Sequence, residues 1–292
     1  MTHLQKSKML SILARECEVR GTDATGIAYN AGRRLKIYKR ALPARYMRFV
    51  LPKDTRVVMG HTRMTTQGSE KLNRNNHPFL GCAGSTAFAL AHNGVLYNDD
   101  ALRKSRKLPQ TSIQTDSYVA VQLIEKSGFM DMEALRDMAE AVRGSFSFSV
   151  LDDQDNLYLV KGDNPICLYH YQTQGLMLYA STEEILNKAL SKMAVQLEKP
   201  VKIELICGDI LRISPNGVMS RASFDCNHLL PRMIWSPYAS FFGYCPGEDT
   251  TYVDDLKAVA ASFGLMDEDV DELLREGFTT EEVEEYLYSA WV

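Results

Sequence analysis

Leu90-Ala91-His92-Asn93-Gly94-Val95-Leu96-Tyr97-Asn98 is the stretch on which the fold of this chain turns. The apolar run Thr86 to His92 leads into it, and Val95-Leu96-Tyr97 leads out. Asn-Gly between two apolar runs is the strongest short signal for a two-residue hairpin of type I′, because both residues tolerate positive φ. The other reading keeps the chain extended and turns the Asn93 side-chain amide and the Gly94 backbone N–H into a pair of donors for an oxyanion. The residues taken alone leave both open.

Upstream, Arg56 to His61 reads as a strand that delivers Gly60-His61-Thr62-Arg63-Met64-Thr65-Thr66-Gln67-Gly68, a polar loop. Arg63 follows an apolar strand, where a guanidinium needs an internal acid or grips a ligand carboxylate through two parallel hydrogen bonds. Downstream, Ser117 to Lys126 is apolar almost all round and reads as a buried helix. Thr115-Asp116 at its head serve as an N-cap, or Asp116 is a carboxylate for a ligand ammonium. Nearer the start, His3 to Glu18 has helical spacing (Met9, Leu10, Leu13, Ala14, Cys17), and Arg20-Gly21-Thr22-Asp23-Ala24-Thr25-Gly26 ends it in a Gly-rich turn. Strands are expected at 27–29, 34–39, 145–151, 157–160, 166–171 and 176–179, and helices at 132–142 and 183–192. Val201–Ile206 and Asp209–Ile213 read as a closing hairpin. Strands grouped between pairs of helices point to an α+β protein rather than alternating βαβ units.

The chain has 292 residues, 45% hydrophobic and 24% charged, which excludes a disordered or fibrous protein. No apolar run reaches the ~18 residues that cross a bilayer, and the opening residues are too polar for a secretory signal. Cys17, Cys82, Cys167, Cys207, Cys226 and Cys245 are scattered without metal-binding spacing, so reduced thiols in a cytoplasm, with no metal and no cofactor, are expected. From Glu248 to Val292 there are 14 acidic and two basic residues, while the rest carries a net charge of +8. The basic residues of the body are dispersed, and neither a nucleic-acid partner nor a membrane is expected. Residues 225–250 are rich in aromatics and Pro and read as a linker; 251–292 reads as an acidic module of three helices near 253–263, 268–276 and 280–289, the last with a Thr279/Glu282 capping box. That module is expected to form a small core of its own, and recruiting a partner is its functional reading.

In their order along the chain, RGTDATGIAY, GHTRMTTQG, NNHPF, LAHNGVLYN and TDSY resemble the class II glutamine amidotransferase domain, as do GSFSFSV and ASTE further on. The resemblance covers Leu10 to Ile213, and the body is taken as residues 1–224. It implies an N-terminal-nucleophile hydrolase fold, a four-layer αββα sandwich of two antiparallel sheets, here with a small acidic helical appendage. It implies hydrolysis of the glutamine side-chain amide to glutamate and ammonia, with L-glutamine as substrate and an ammonia-accepting synthase or ligase in trans. By matching position, Arg63 holds the α-carboxylate and Asp116 the α-amino group. Asn93 and Gly94 form the oxyanion hole, Arg20 and Gly21 lie near the nucleophile, and the Thr65–Gly68 backbone, with Thr66 and Gly68, lines the pocket.

The family's nucleophile, a cysteine opening the first strand, has no counterpart here. Thr2 is in helix register, and Cys17 is internal and lacks a free α-amine, so it reads as a packed thiol. The expectation is that a strand lies upstream of Met1. An N-terminally extended protein would then be more stable and less prone to aggregate. The alternative is a non-catalytic, glutamine-binding or regulatory module.

Overall fold

In the computed structural model, which describes residues 2–229 and 266–276 together with positions 253, 257, 260, 278 and 283, the chain enters through α1 (His3–Glu16). A capping box starts this helix: the Gln5 N–H donates to the Thr2 hydroxyl at 3.2 Å, and the Thr2 N–H donates to Gln5 Oε1 at 2.8 Å. A 3-10 turn, Cys17–Arg20, follows. β1 (Ala24–Ala31), β2 (Arg34–Arg40) and β3 (Val58–Arg63) then make one sheet in the order β2-β1-β3.

β4 (Phe79–Ala83) leads into β5 (Thr86–Leu96), which runs straight through Asn93 and Gly94. The hairpin-turn reading of Asn-Gly is therefore corrected. α2 (Asp99–Ser105), α3 (Tyr118–Ser127) and α4 (Met132–Ala141) intervene before β6 (Gly144–Asp152), which pairs with β5 from Phe88↔Asp152 to Leu96↔Gly144. Gly94 has φ +130°, and a β-carbon there would lie 2.0 Å from the Ser145 carbonyl oxygen. The glycine thus permits close approach of β6 to an extended strand rather than a reversal of direction. The N-cap of α3 is Ser117, which makes no side-chain capping bond, so the capping account of Thr115-Asp116 also gives way.

The remaining elements are β7 (Leu157–Lys161), β8 (Cys167–Tyr171), β9 (Leu176–Ala180), α5 (Glu183–Lys192), β10 (Val201–Ile203), β11 (Asp209–Ile213) and β12 (Met219–Ser223). β10 and β11 do not form the expected hairpin. β10 pairs with β8 in the sheet β10-β8-β9, whereas β11 lies between β12 and β7 in the six-stranded sheet β12-β11-β7-β6-β5-β4. Every strand pairing among the described residues is antiparallel.

One apolar cluster joins all three sheets: Ala28 and Met59, Leu168, and Ala89, Ala91, Leu151, Leu159 and Leu211 from the large sheet. Both short sheets therefore pack on the same face of the six-stranded one, burying side chains worth roughly 1.5–3 kcal/mol each for the larger aliphatics. On their other faces, Ile27, Phe49 and Leu51 pack with Leu10 and Ala14 of α1, and Tyr169, Ile185 and Leu186 pack with Leu13. α3 packs against β4, and α4 against α3 and β11.

Two compact units divide the chain, Met1–Cys226 and Asn227–Val292. In the second, α6 (Asp267–Arg275) buries Val270; Val253, Ala260 and Val283 are buried too, and Lys257 pairs with Asp271 at 2.6 Å. The Thr279/Glu282 capping box and most of the helices expected near 253–263 and 280–289 lie outside the described residues, as does most of the linker.

Candidate functional site

Asn93 sits near the end of β5, half-buried, and its orientation is set by charge. The Arg20 guanidinium, arriving from the turn after α1, donates through Nη2 to Asn93 Oδ1 at 3.3 Å. The amide oxygen must face the cation, because the amide nitrogen is itself only a donor. Asn93 Nδ2 is then left buried with no hydrogen-bond partner among the described residues. An unsatisfied buried donor costs roughly 1–3 kcal/mol, so it marks a place where an acceptor belongs. The Asn93 carbonyl is held from the other side by Asn164 Nδ2 at 3.0 Å.

Arg20 and Asn93 share the wall of a cavity of about 580 Å³ with His61, Thr62, His92 and Ser147. Leu10 and Leu13 of α1 and Leu176, Met177 and Leu178 of β9 give it an apolar wall. β3 and β9 each end a three-stranded sheet, and residues of both line this cavity.

Arg63 and Asp116 lie outside that lining but within electrostatic reach of each other. Arg63 is 4% exposed. Its Nη1 donates to Asn76 Oδ1 at 2.7 Å, and its Nη2 to the carbonyls of Gln67 at 2.5 Å and Gly68 at 3.1 Å. These bonds occupy three of five guanidinium donors and fold the Thr65–Gly68 loop around the cation. Burial pushes the Arg63 group below its ordinary value, while Asp23, Asp116 and Glu70 push it back up. The carboxylate of Asp116 accepts from the Leu96 N–H at 2.6 Å, which ties the head of α3 to the strand that carries Asn93 and Gly94. Thr66 is exposed and Gly68 half-buried, with Gly68 at φ +71°.

Gly21 explains why the RGTD turn has a glycine. Its φ is +148°, and a β-carbon would lie 2.2 Å from Met64 N and 2.3 Å from the Arg63 carbonyl carbon. Asp23 completes the clamp: its N–H donates to the Arg63 carbonyl at 3.0 Å, and its Oδ2 accepts from the Thr65 N–H at 2.7 Å. The turn after α1 is thereby locked to the end of β3.

Neither internal nucleophile suits the cavity. Thr2 is spent in the exposed cap of α1, and burial pushes the Cys17 thiol up to about 12, leaving it protonated at neutral pH.

Several contributors have no role in the sequence reading. Asn76 orients Arg63, and Lys39 donates to the carbonyls of Asn76 and Pro78; burial, then Arg63, holds its ammonium down at about 8. Asn76 stands within NNHPF, so the motif flagged the segment but not the contact. Asn164 had no signal beyond turn composition.

Residues 61–188 match a family model described as a glutamine amidotransferase domain. The glutamine–fructose-6-phosphate aminotransferase (isomerizing) of Bacillus cereus strain ATCC 10987 is 32% identical over 158 residues, covering 51% of this chain and 26% of the relative. That of Geobacillus kaustophilus is 33% identical over 158 residues, with the same coverage. The chain thus spans about a quarter of the length of these curated relatives. Its fold is similar to that of the glutamine phosphoribosylpyrophosphate amidotransferase from B. subtilis complexed with ADP and GMP, at TM-score 0.60 and 19% identity over 76% of this chain and 47% of that one. These matches, together with the shared fold, support a class II glutamine amidotransferase domain, recognised over residues 61–188.

Proposed function

We propose that this domain binds L-glutamine and releases its side-chain ammonia to an acceptor synthase or ligase in trans. Arg63 takes the α-carboxylate and Asp116 the α-ammonium, while Asn93 Nδ2 and the Gly94 N–H receive the amide oxygen as it becomes an oxyanion. The α-amine of the nucleophilic cysteine takes the thiol proton, and thiolate attack on the amide carbon puts negative charge on that oxygen. The same proton passes to the nitrogen so that it leaves as ammonia, and water then hydrolyses the thioester to glutamate and frees the thiol. The reading rests on one observation above all: Arg20 fixes the Asn93 amide so that an unsatisfied buried donor lines the cavity. Removing such a donor costs roughly 10²–10³ in turnover in measured cases.

The nucleophile, in this proposal, is a cysteine at the head of an extended segment seated in the cavity between β3 and β9. Such a strand would join the two three-stranded sheets into one and complete the four-layer αββα arrangement. The flanking edges of β3 and β9 support this, as do the apolar side chains of α1 beneath them. A second reading, a glutamine-binding or regulatory module, is favoured by the protonated Cys17 thiol and the capped Thr2.

Calorimetry on the chain of residues 1–292 tests the shared part of both readings. Glutamine should bind, and Arg63→Ala or Asp116→Ala should weaken it at least about tenfold, since each leaves one end of a zwitterion unpaired. Glutamate release by a version that carries a Cys-headed strand before residue 1, abolished by Cys→Ser there, separates enzyme from binding module. Unchanged glutamine affinity in both variants overturns the assignment of Arg63 and Asp116.

A further inference from the structure

Three buried side chains form a chain from the substrate end of the site into the core. Ser117 Oγ is 3.2 Å from Asp116 Oδ1 and 2.8 Å from His92 Nδ1, and His92 Nε2 is 3.3 Å from the Ser145 carbonyl oxygen. Asp116 is 4% exposed, Ser117 3% and His92 2%, so water supplies none of these bonds at low cost.

Counting protons restricts what this chain can be. A serine hydroxyl has one proton to give, and a carbonyl only accepts. With Asp116 ionised and His92 neutral, Ser117 donates to the carboxylate, His92 must donate from Nδ1, and its bare Nε2 faces the Ser145 carbonyl, lone pair to lone pair. Two arrangements satisfy every member. In one, protonated Asp116 donates to Ser117, Ser117 donates to His92 Nδ1, and the Nε2–H donates to Ser145. In the other, the same proton has moved along the chain: Asp116 is ionised and His92 is an imidazolium that donates from both nitrogens.

We propose that Asp116, Ser117 and His92 form a proton relay whose single mobile proton rests on Asp116 in the free domain and passes to His92 when an ammonium group docks on the carboxylate. In the step, Asp116 gives its proton to Ser117 Oγ, Ser117 gives its own to His92 Nδ1, and no proton enters or leaves the protein. The cationic head of the ligand thereby meets a full carboxylate in a site that stores it in neutral form. The proposal rests on the reading of Asp116 as the ammonium site.

The surrounding charges fit the resting state. Burial raises Asp116, against the Leu96 and Ser117 N–H groups, the Ser117 hydroxyl and Arg63 on β3, which lower it; burial also holds His92 down at about 4, against the Ser145 carbonyl and Asp163, which raise it. Asp99 on α2 also feels Asp116 and is paired with Arg103 at 3.4 Å, while His61 donates from Nε2 to the His92 carbonyl at 2.8 Å. Ser117 and His92 are positioning residues here, acting through Asp116.

Nitrogen NMR of His92 and calorimetry in buffers of differing ionisation heat test the relay. The free domain at pH 7 should show the neutral Nε2–H tautomer, converting to imidazolium on saturation with glutamine, and binding should release no proton. Ser117→Ala cuts the chain: affinity should fall about tenfold, and binding should release close to one proton to the buffer. Ser117→Thr, which keeps the hydroxyl, should restore the parental proton count. A neutral Nδ1–H tautomer in the free domain overturns the relay whether or not glutamine binds, and so does an unchanged proton count in Ser117→Ala. If the Nε2–H tautomer is present but glutamine leaves every spectrum and heat unchanged, the substrate reading fails and the relay's resting state stands.

Discussion

Gly21 has no side chain to offer a ligand, yet the site is built on it. The turn after α1 must pass so close to Arg63 and Met64 that any β-carbon would overlap their backbone at 2.2–2.5 Å, and φ is +148°. Gly21→Ala therefore forces the Arg63 end of β3 to move and adds strain of roughly 1–3 kcal/mol. The expected outcome is a loss of about 2 kcal/mol or more in urea unfolding, with weakened glutamine binding even at temperatures where the variant stays folded. A variant as stable as the parent would mean that the clamp between the turn and β3 is not rigid. Arg63 itself illustrates how binding groups are prepared: Asn76, Gln67 and Gly68 hold three of its donors, so a ligand meets a cation already oriented.

Among the elements, α4 gives the cleanest stability test because its start is exposed and its cap touches none of the residues assigned to the site. Asp131 is the N-cap, with its carboxylate accepting from the Ala134 N–H at 2.8 Å. Asp131→Ala should cost about 1 kcal/mol in urea unfolding and leave glutamine affinity unchanged; a change in affinity would tie α4 to the site. Elements with strong internal periodicity were legible in the sequence. α5 has the expected bounds, Glu183–Lys192, and β11 the expected Asp209–Ile213. Their partners were less legible, because alternation shows that β10 and β11 are strands but not which sheet each joins. β12 escaped notice since Met219, Ser220 and Arg221 are all exposed and carry no buried alternation. Asn93-Gly94 misleads for the opposite reason: its local turn signal is strong, and only pairing with β6, some fifty residues later, keeps it extended. The same limit applies to the site. Ordered motifs marked Arg20, Arg63, Asn93 and Asp116, whereas the bonds of Arg63 to Asn76 and of His92 to Ser117 join segments whose side chains show no local preference for each other.

At the scale of the whole molecule, the region around β3, β4 and β5 contains three imidazoles, His77 and His92 buried and His61 half-buried. His61 and His77 lie 4.4 Å apart between ring centres with their planes tilted by 40°, His77 meets Phe79 edge-on at 4.4 Å, and His92 stacks on Phe148 at 4.6 Å. Both ring nitrogens of His77 and Nδ1 of His61 have no partner among the described residues. Burial holds His61 down at about 3 and His92 at about 4, and it pushes His77 well below its ordinary value of 6.5, helped by the other two histidines. In the unfolded chain these groups take up protons near 6.5, so below that pH the unfolded state binds more protons than the folded one and stability falls. Each histidine that stays neutral when folded contributes a loss of about 2 kcal/mol between pH 7 and pH 5. Asp99, Asp116 and Asp152 act the other way, since burial raises them and the folded state gains protons there first. Asp116, which holds the relay's proton at pH 7, offsets more than one histidine's share of that loss between pH 7 and pH 5, and the three histidines together still outweigh it. Urea unfolding at pH 7 and pH 5 should therefore show a drop of about 3 kcal/mol, reduced by about 2 kcal/mol in His77→Phe, which keeps an aromatic ring against Phe79 and removes one titrating group. An identical drop in parent and variant would mean that His77 is protonated in the folded protein, and that the region opens to water before the molecule unfolds.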